Sequence, residues 1–150
     1  MTEIRKATQE DMPAIAEFQI KMAMETEGLA LLPETVEDGV KAVFDKPGRG
    51  QYWVATSDSK VIASLLVTYE WSDWRNAEVW WLQSVYVEPQ FRRMGIFSKM
   101  YGYVKAEAER YGATGLRLYV EANNVAAQKT YEAAGMKSGH YLLYEWLKQG

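Results

Sequence analysis

Apolar and polar residues follow two different periods along this chain, and these periods predict where helices and strands lie. After Ile96 the apolar positions recur at steps of three and four residues, as on one buried helix face, and Gly112 ends that pattern. Asn124 is a favourable N-cap for a later segment of the same period. The predicted helices follow Thr8 or Asp11, with Pro13 in the first turn, and then cover residues 33–44, 96–111 and 125–134.

Short segments rich in β-branched and aromatic residues predict the strands. They cover residues 3–7, 52–56, 61–70, 78–87, 116–120 and 141–146. Short polar turns join the second, third and fourth strands, so we expect an antiparallel meander. The fourth strand connects to the fifth through the Ile96 helix, so this pair should be parallel with a right-handed crossover. The predicted fold is α/β, with three layers around a mixed, mostly antiparallel sheet.

Composition and charge argue against several classes of protein. The 150 residues are 48% hydrophobic and contain no linker or repeat, so we expect a single domain over residues 1–150. The net charge of −3 argues against a broad nucleic-acid interface, despite six Trp and ten Tyr. No apolar run approaches the ~20 residues of a membrane span, and no signal-peptide pattern is present, so a cytoplasmic location is expected.

The chain contains no cysteine, which limits its chemistry. Disulfides and thiolate metal sites are excluded, and no metal is expected. A covalent cysteinyl intermediate is excluded as well, which favours direct attack in any acyl transfer.

Residues 85–98 lead from a strand through a basic turn into a helix. Pro89 ends the strand, and Gly95 permits a backbone conformation or a close approach that a side chain would obstruct. The free amides and positive dipole of a helix N-terminus attract an anion, and Arg92 and Arg93 add full charges. Neither a P-loop nor a GxGxxG pattern is present. The turn therefore indicates a phosphate site of another kind, with a solvated basic turn as the alternative.

Two ordered blocks of the chain have the spacing of a known pair of motifs. The first consists of Val85, Tyr86, Val87 and Pro89, followed by Arg92, Arg93, Met94, Gly95 and Ile96. The second consists of Val120, Glu121, Ala122, Asn123, Asn124, Ala127, Tyr131, Gly135 and Met136. They resemble the acyl-CoA signature RxxGxG/A of the GCN5-related N-acetyltransferases and that family's downstream pattern of V, N, A, Y and GF. Phe97 departs from the signature, which usually has Gly or Ala there, and Met136 replaces the usual Phe.

The resemblance implies the acyl-CoA N-acyltransferase fold and acetyl-CoA as the cofactor. In that family two parallel strands splay apart, and backbone groups equivalent to those of Val85 and Val87 bond the pantetheine arm like an added strand. The alternative is that these groups pair with Leu118 and Val120. The residues expected to bind the cofactor are Val85, Tyr86, Val87, Arg92, Arg93, Met94, Gly95, Ile96, Phe97, Ser98, Asn124, Ala127 and Tyr131.

The resemblance also assigns a catalytic role to Tyr131, close to the departing thiolate. A phenol with a reference pKa of about 10 can donate a hydrogen bond to that thiolate and stay neutral at physiological pH. Without the motif spacing, core packing would be the better interpretation of this tyrosine.

The sequence does not single out one residue as the general base. Gln83 and Ser84 occupy the stretch where several relatives place a carboxylate, and neither is a base. Glu70 and Glu25 are the candidate catalytic carboxylates, and Asp73, Glu78 and Glu27 are further carboxylates able to relay a proton through water. The alternative for each is ordinary solvated surface charge. His140, the sole imidazole, is interpreted as a strand-edge residue.

These features together predict an N-acetyltransferase that moves an acetyl group from acetyl-CoA directly to a primary amine. The segment around Glu70 and Asp73 is loosely similar to small-amine and polyamine acetyltransferases, so a small cationic acceptor is expected. An amino acid, an aminoglycoside, a protein N-terminus or a lysine stays open as the acceptor. Other open alternatives are a noncatalytic acyl-CoA sensor and a nucleotide-binding module. Many resembling proteins form homodimers, and the strand over residues 141–146 is available for such an interface.

Overall fold

The computed structural model describes residues 1–139 and 141–149, which fall into two units. The first unit spans Met1–Tyr119, and the second begins at Val120. The expectation of a single domain over residues 1–150 stays a prediction. His140, predicted to be a strand-edge residue, lies outside the described residues.

One five-stranded sheet forms the centre of the first unit, with its strands in chain order. The strands are β1 (Thr2–Lys6), β2 (Gln51–Ser57), β3 (Lys60–Ser72), β4 (Ala77–Val87) and β5 (Gly115–Leu118). Neighbouring strands are antiparallel from β1 to β4, whereas β4 and β5 are parallel. The predicted mixed and mostly antiparallel sheet is therefore confirmed. Each of these strands lies within two residues of its predicted bounds.

Three helices accompany this sheet. They are α1 (Met12–Glu27), α2 (Pro33–Asp45) and α3 (Ile96–Arg110). Short 3-10 turns lie at Gln9–Asp11, Pro47–Arg49 and Pro89–Phe91. Ile96, Met100, Val104 and Ala108 of α3 are buried at the predicted helical spacing, and Gly112 ends the segment with φ 79°.

Asp11 organises the chain where β1 gives way to α1. Its carboxylate accepts two hydrogen bonds from Arg5, at 2.7 and 3.0 Å, and one from the Thr8 amide at 2.7 Å. Burial opposes ionisation of Asp11, but the hydrogen bonds from Arg5 and Thr8 outweigh it and lower the pKa of this carboxyl. The predicted capping by Thr8 and Asp11 is confirmed, with one 3-10 turn between the cap and α1.

The sheet separates two packed layers. Tyr52 and Val54 of β2 belong to the core cluster that contains Ile15 of α1 and Val40 of α2. Trp53 lies between them in sequence and faces the opposite side, because successive strand residues alternate. On that side α3 contacts β1, β2, β4 and β5. The first unit therefore has the predicted three layers.

The second unit contains the helix α4 (Val125–Ala133). Asn124 caps it as predicted, because its side-chain oxygen accepts a hydrogen bond from the Ala127 amide at 3.1 Å. The strand predicted over residues 141–146 is not formed in the described part of the chain. Five of its six residues are apolar, but their side chains are exposed and no neighbouring strand pairs with them there. Within the described residues, no helix is long and apolar enough to cross a membrane.

Candidate active site

The candidate site begins where β4 is no longer paired with β5 but is still paired with β3. The pairing of β3 with β4 shifts register between Ser64 and Leu66, and Ser84 opposite them has φ 52°. These are the marks of a β-bulge, which bends a strand and interrupts its ladder. The parallel pairing of β4 with β5 ends at Leu82, which lies opposite Leu118. The alternative pairing of Val85 with Leu118 is therefore not formed.

The basic turn follows the end of β4. Arg93 has φ 65° and Gly95 has φ 75°, so two left-handed residues lie immediately before α3. Gly95 is the N-cap of α3, and no side chain caps that end. A Cβ added at Gly95 would meet nothing within 4 Å, so the glycine serves the backbone conformation rather than a close approach. The first amides of α3 accordingly point out of the helix end, as anion binding requires.

Phe97, the departure from the family signature, packs inward. Its side chain is only 8% exposed, and its ring centroid lies 6.0 Å from that of Tyr101. Ile96 is buried as well, whereas Met94 and Ser98 are exposed. The bulk of Phe97 therefore contributes to the core and does not fill the turn.

Glu25, at the end of α1, contacts the basic turn directly. Its Oε2 accepts a hydrogen bond from Arg92 Nη2 at 2.9 Å, and its Oε1 accepts one from the Tyr86 hydroxyl at 3.2 Å. Arg92 also donates from Nε to the Val87 carbonyl at 2.8 Å and lies over the Tyr86 ring. Burial first, and then Glu25, raises the pKa of the Tyr86 hydroxyl. Glu25 thus joins α1 to the first arginine of the turn.

Glu70 belongs to a second cluster, on the sheet face opposite α3. Its Oε1 accepts hydrogen bonds from Trp81 Nε1 at 2.7 Å and from Arg117 Nη1 at 3.3 Å. The rings of Trp81 and Tyr119 lie 4.6 Å apart beside it. Nearby, Gln83 donates to the Thr68 hydroxyl at 2.7 Å. The two candidate carboxylates therefore lie in separate clusters, each with an arginine.

Sequence reasoning missed Arg117 and Tyr119. A signal for Arg117 was available, because it alternates with Leu116 and Leu118 in β5 and so faces away from them. Its partner Glu70 was not evident, since the contact depends on the register across three strands. The described ranges contain no cluster of three or more metal-ligating side chains.

Tyr131 and the other downstream motif residues lie in the second unit. Burial raises the pKa of the Tyr131 hydroxyl, so the phenol stays protonated over a wider pH range. Asn124 and Ala127 meet in the N-cap of α4. The assignment of Tyr131 and Asn124 to the cofactor site stays a prediction.

Comparison with known proteins identifies the family of this chain. A model of the acetyltransferase (GNAT) family matches residues 13–136. A possible acetyltransferase from Clostridium difficile 630 is 41% identical, with a TM-score of 0.91, over 100% of this chain and 99% of that chain. A predicted acetyltransferase with acetyl-CoA from Clostridium acetobutylicum is 18% identical, with a TM-score of 0.76, over 100% and 96%. An aminoglycoside acetyltransferase from an uncultured soil metagenomic sample, in complex with sisomicin, is 10% identical, with a TM-score of 0.78, over 99% and 97%. No curated protein sequence matches the chain.

The chain belongs to the acetyltransferase (GNAT) family, as its two motifs and its fold indicate. It is an acetyl-CoA-dependent N-acetyltransferase. The predictions of the fold class and of acetyl-CoA as the cofactor are confirmed.

Proposed function

We propose that this enzyme acetylates a primary amine of a small cationic molecule by direct attack on acetyl-CoA. The observation that carries the proposal is the succession of a bulged β4 end, the end of the β4–β5 pairing at Leu82, and a left-handed basic turn at the N-terminus of α3. The lack of cysteine supports transfer without a cysteinyl intermediate.

The residues at this place fit the cofactor in its two polar parts. Amides at residues 94–98 and the Arg93 guanidinium suit the phosphates, because the uncapped helix end offers unpaired donors and a favourable dipole. Backbone groups of Val85 suit the amides of the pantetheine arm, since no β5 residue pairs with them, whereas the Val87 carbonyl already accepts a hydrogen bond from Arg92 Nε. When bound, acetyl-CoA supplies the thioester carbon that the acceptor attacks and the thiolate that leaves.

The part of the site that receives the acceptor amine requires a group that takes a proton from its ammonium form. Glu70 and Glu25 are 44% and 39% exposed, so water reaches both. Each carboxylate already accepts hydrogen bonds from an arginine and an aromatic side chain, which fixes its position and leaves further lone pairs for water. Glu70 is the stronger candidate base, because Glu25 accepts a hydrogen bond from Arg92 of the basic turn, where the phosphates would bind.

The class of the acceptor rests on two kinds of support. Carboxylates attract cations, and an ammonium near Glu70 gains both charge stabilisation and a path for its proton. Among proteins of this fold, one is an aminoglycoside acetyltransferase in complex with sisomicin. Both observations favour small molecules with several amines.

Thiol release from acetyl-CoA against a panel of acceptors tests the function. The panel should contain polyamines, aminoglycosides, amino acids and peptides with free N-termini or lysines, each at several concentrations. We expect release with small cationic amines and much less with neutral amines. Tight binding of acetyl-CoA without thiol release for any acceptor would contradict the proposal and favour a noncatalytic acyl-CoA sensor. Release with peptides alone would contradict the acceptor class and leave the transfer chemistry intact.

A further inference from the structure

A cavity lies in the first unit, on the α3 face of the sheet. Its volume is about 260 Å³, and residues from β1 to β4 and from the last turns of α3 line it. The phosphate turn is at the other end of α3, and 15 residues of helix span about 22 Å. The cavity is therefore separate from the turn, and we refer to it as the aromatic cavity.

Four aromatic rings line the aromatic cavity. Tyr69 meets Trp80 edge to face, with ring centroids 5.4 Å apart and planes inclined at 71°. Trp80 and Tyr111 lie 6.3 Å apart at 33°, and Trp53 belongs to the same lining. Rings at different inclinations surround the space with several π faces, which is the arrangement that receives an organic cation.

An ammonium of the chain itself already uses two of these faces. Lys6 Nζ is 5.8 Å from the centroid of the Trp53 ring and 5.9 Å from that of Tyr111. It also forms an ion pair with Glu107. The Lys6 side chain remains 47% exposed, so it lies at the edge of the cavity and does not fill it.

The charges around the aromatic cavity favour a further cation. Glu107 is paired with Lys6 and Arg110, whereas the Glu78 carboxylate accepts only a long bond of 3.4 Å from Trp80 Nε1 among the side-chain contacts described for it. Burial first, and then the nearby carboxylates of Glu78 and Glu107, raise the pKa of the Tyr69 hydroxyl.

We propose that the aromatic cavity binds a small organic cation, an ammonium with methyl or short alkyl groups, between the ring faces and the Glu78 carboxylate. The alkyl groups bury apolar surface against Trp80 and Tyr69, and the charge faces Glu78. A metal ion is a poorer match, because π faces offer no oxygen ligands. This binding site is additional to the acetyl-transfer site and does not depend on it.

Choline is a suitable probe, since it has no primary amine, and 3,3-dimethylbutan-1-ol is its neutral isostere. NMR of the six tryptophan indole N–H groups reports the site, because Trp53 and Trp80 line it whereas Trp81 faces the other side of the sheet. We expect saturable shifts of the Trp53 and Trp80 signals with choline and none with the neutral alcohol. Equal shifts with both compounds, or no saturable shift with choline, would overturn the proposal.

Two carboxylate variants locate the binding. Glu78→Gln should weaken choline binding about tenfold, because it removes the charge next to Trp80 and keeps the shape. Glu70→Gln is the matched control, since Glu70 bonds to Trp81 on the opposite face. Loss of binding in the control with retention in Glu78→Gln would show that choline occupies the acceptor side and would overturn the proposal.

A third variant is expected to strengthen choline binding, a result that a folding defect would not produce. Lys6→Met removes the resident ammonium and keeps an apolar stem, so choline should bind several-fold more tightly than to the unchanged protein. An unchanged or weaker affinity in a variant with a native NMR spectrum would count against the cavity as a cation site.

Discussion

Burial of the Tyr131 hydroxyl gives this residue a definite protonation state. Because burial raises its pKa, the phenol stays a neutral donor well into alkaline pH. Tyr131→Phe keeps the ring and removes only the hydroxyl. We expect turnover to fall roughly 10- to 1,000-fold if the hydroxyl stabilises the leaving thiolate, with little change in acetyl-CoA affinity. Steady-state kinetics and a binding titration of the same preparation measure both quantities.

Tyr103→Phe is the matched control for this variant. Tyr103 lies on α3 and is 55% exposed, so loss of its hydroxyl should change neither quantity. Equal turnover in Tyr131→Phe and in the control would reduce Tyr131 to a packing residue.

The carboxylates of Glu70 and Glu25 accept hydrogen bonds from different side chains. Glu70→Gln should raise the apparent KM for a cationic amine about fivefold, the equivalent of the ~1 kcal/mol that an exposed ion pair contributes at most. It should also steepen the loss of rate at low pH, because fewer attacking ammonium groups lose their proton. Initial rates measured from pH 6 to pH 9 at several amine concentrations separate these effects.

Glu34→Gln, an exposed change in the first turn of α2, is the control for this series. If Glu70→Gln and Glu25→Gln both keep the pH profile and the substrate preference of the control, the two carboxylates are ordinary surface charge. The proton would then leave through water held by Gln83, Ser84 or backbone carbonyls.

At the scale of the element, the start of α1 depends on one buried carboxylate. The pKa of Asp11 is lower in the folded chain than in the unfolded chain, so its ionisation stabilises the fold at neutral pH. That contribution is complete above the unfolded value near 3.9 and is lost as the pH falls through the folded value. Asp11→Asn should lower the free energy of unfolding by about 1–3 kcal/mol at pH 7, with a smaller difference at pH 3.

Urea unfolding at both pH values measures this difference, and Asp45→Asn provides the comparison. Asp45 pairs with Lys41 on the surface of α2, and its side chain is 51% exposed, so its change should have little effect at either pH. A gap between Asp11→Asn and the unchanged chain that stays constant down to pH 3 would contradict the assigned ionisation.

Elements with local signals were predictable from the sequence, and contacts that need a partner were not. The cap at Asn124 and the glycine before α3 follow from residue type and position, and both are present. The strand predicted over residues 141–146 is rich in apolar residues but is not paired with another strand in the described chain. Apolar composition favours a strand, whereas pairing decides whether one forms.

At the scale of the whole molecule, the family and fold class followed from the order of elements and two motifs. The side-chain clusters did not follow, because they join distant parts of the chain. Arg92 and Glu25 are separated by 67 residues, and Glu70 and Arg117 by 47. Their meeting depends on sheet register, including the bulge at Ser84, which no local pattern indicated.

The central claim is that the turn before α3 holds the phosphates of acetyl-CoA. Thermal or chemical unfolding with and without acetyl-CoA tests it most directly, in the unchanged chain, in Gly95→Val and in Gly102→Val. Gly95 has φ 75°, which valine resists, whereas Gly102 lies within α3 and an added Cβ there would meet nothing. Ligand at about 100 times its Kd should add roughly 2.7 kcal/mol to the unchanged chain and to Gly102→Val. Gly95→Val should lose most of that gain relative to its own ligand-free stability, and an undiminished gain in Gly95→Val would contradict the assignment of the phosphates to this turn.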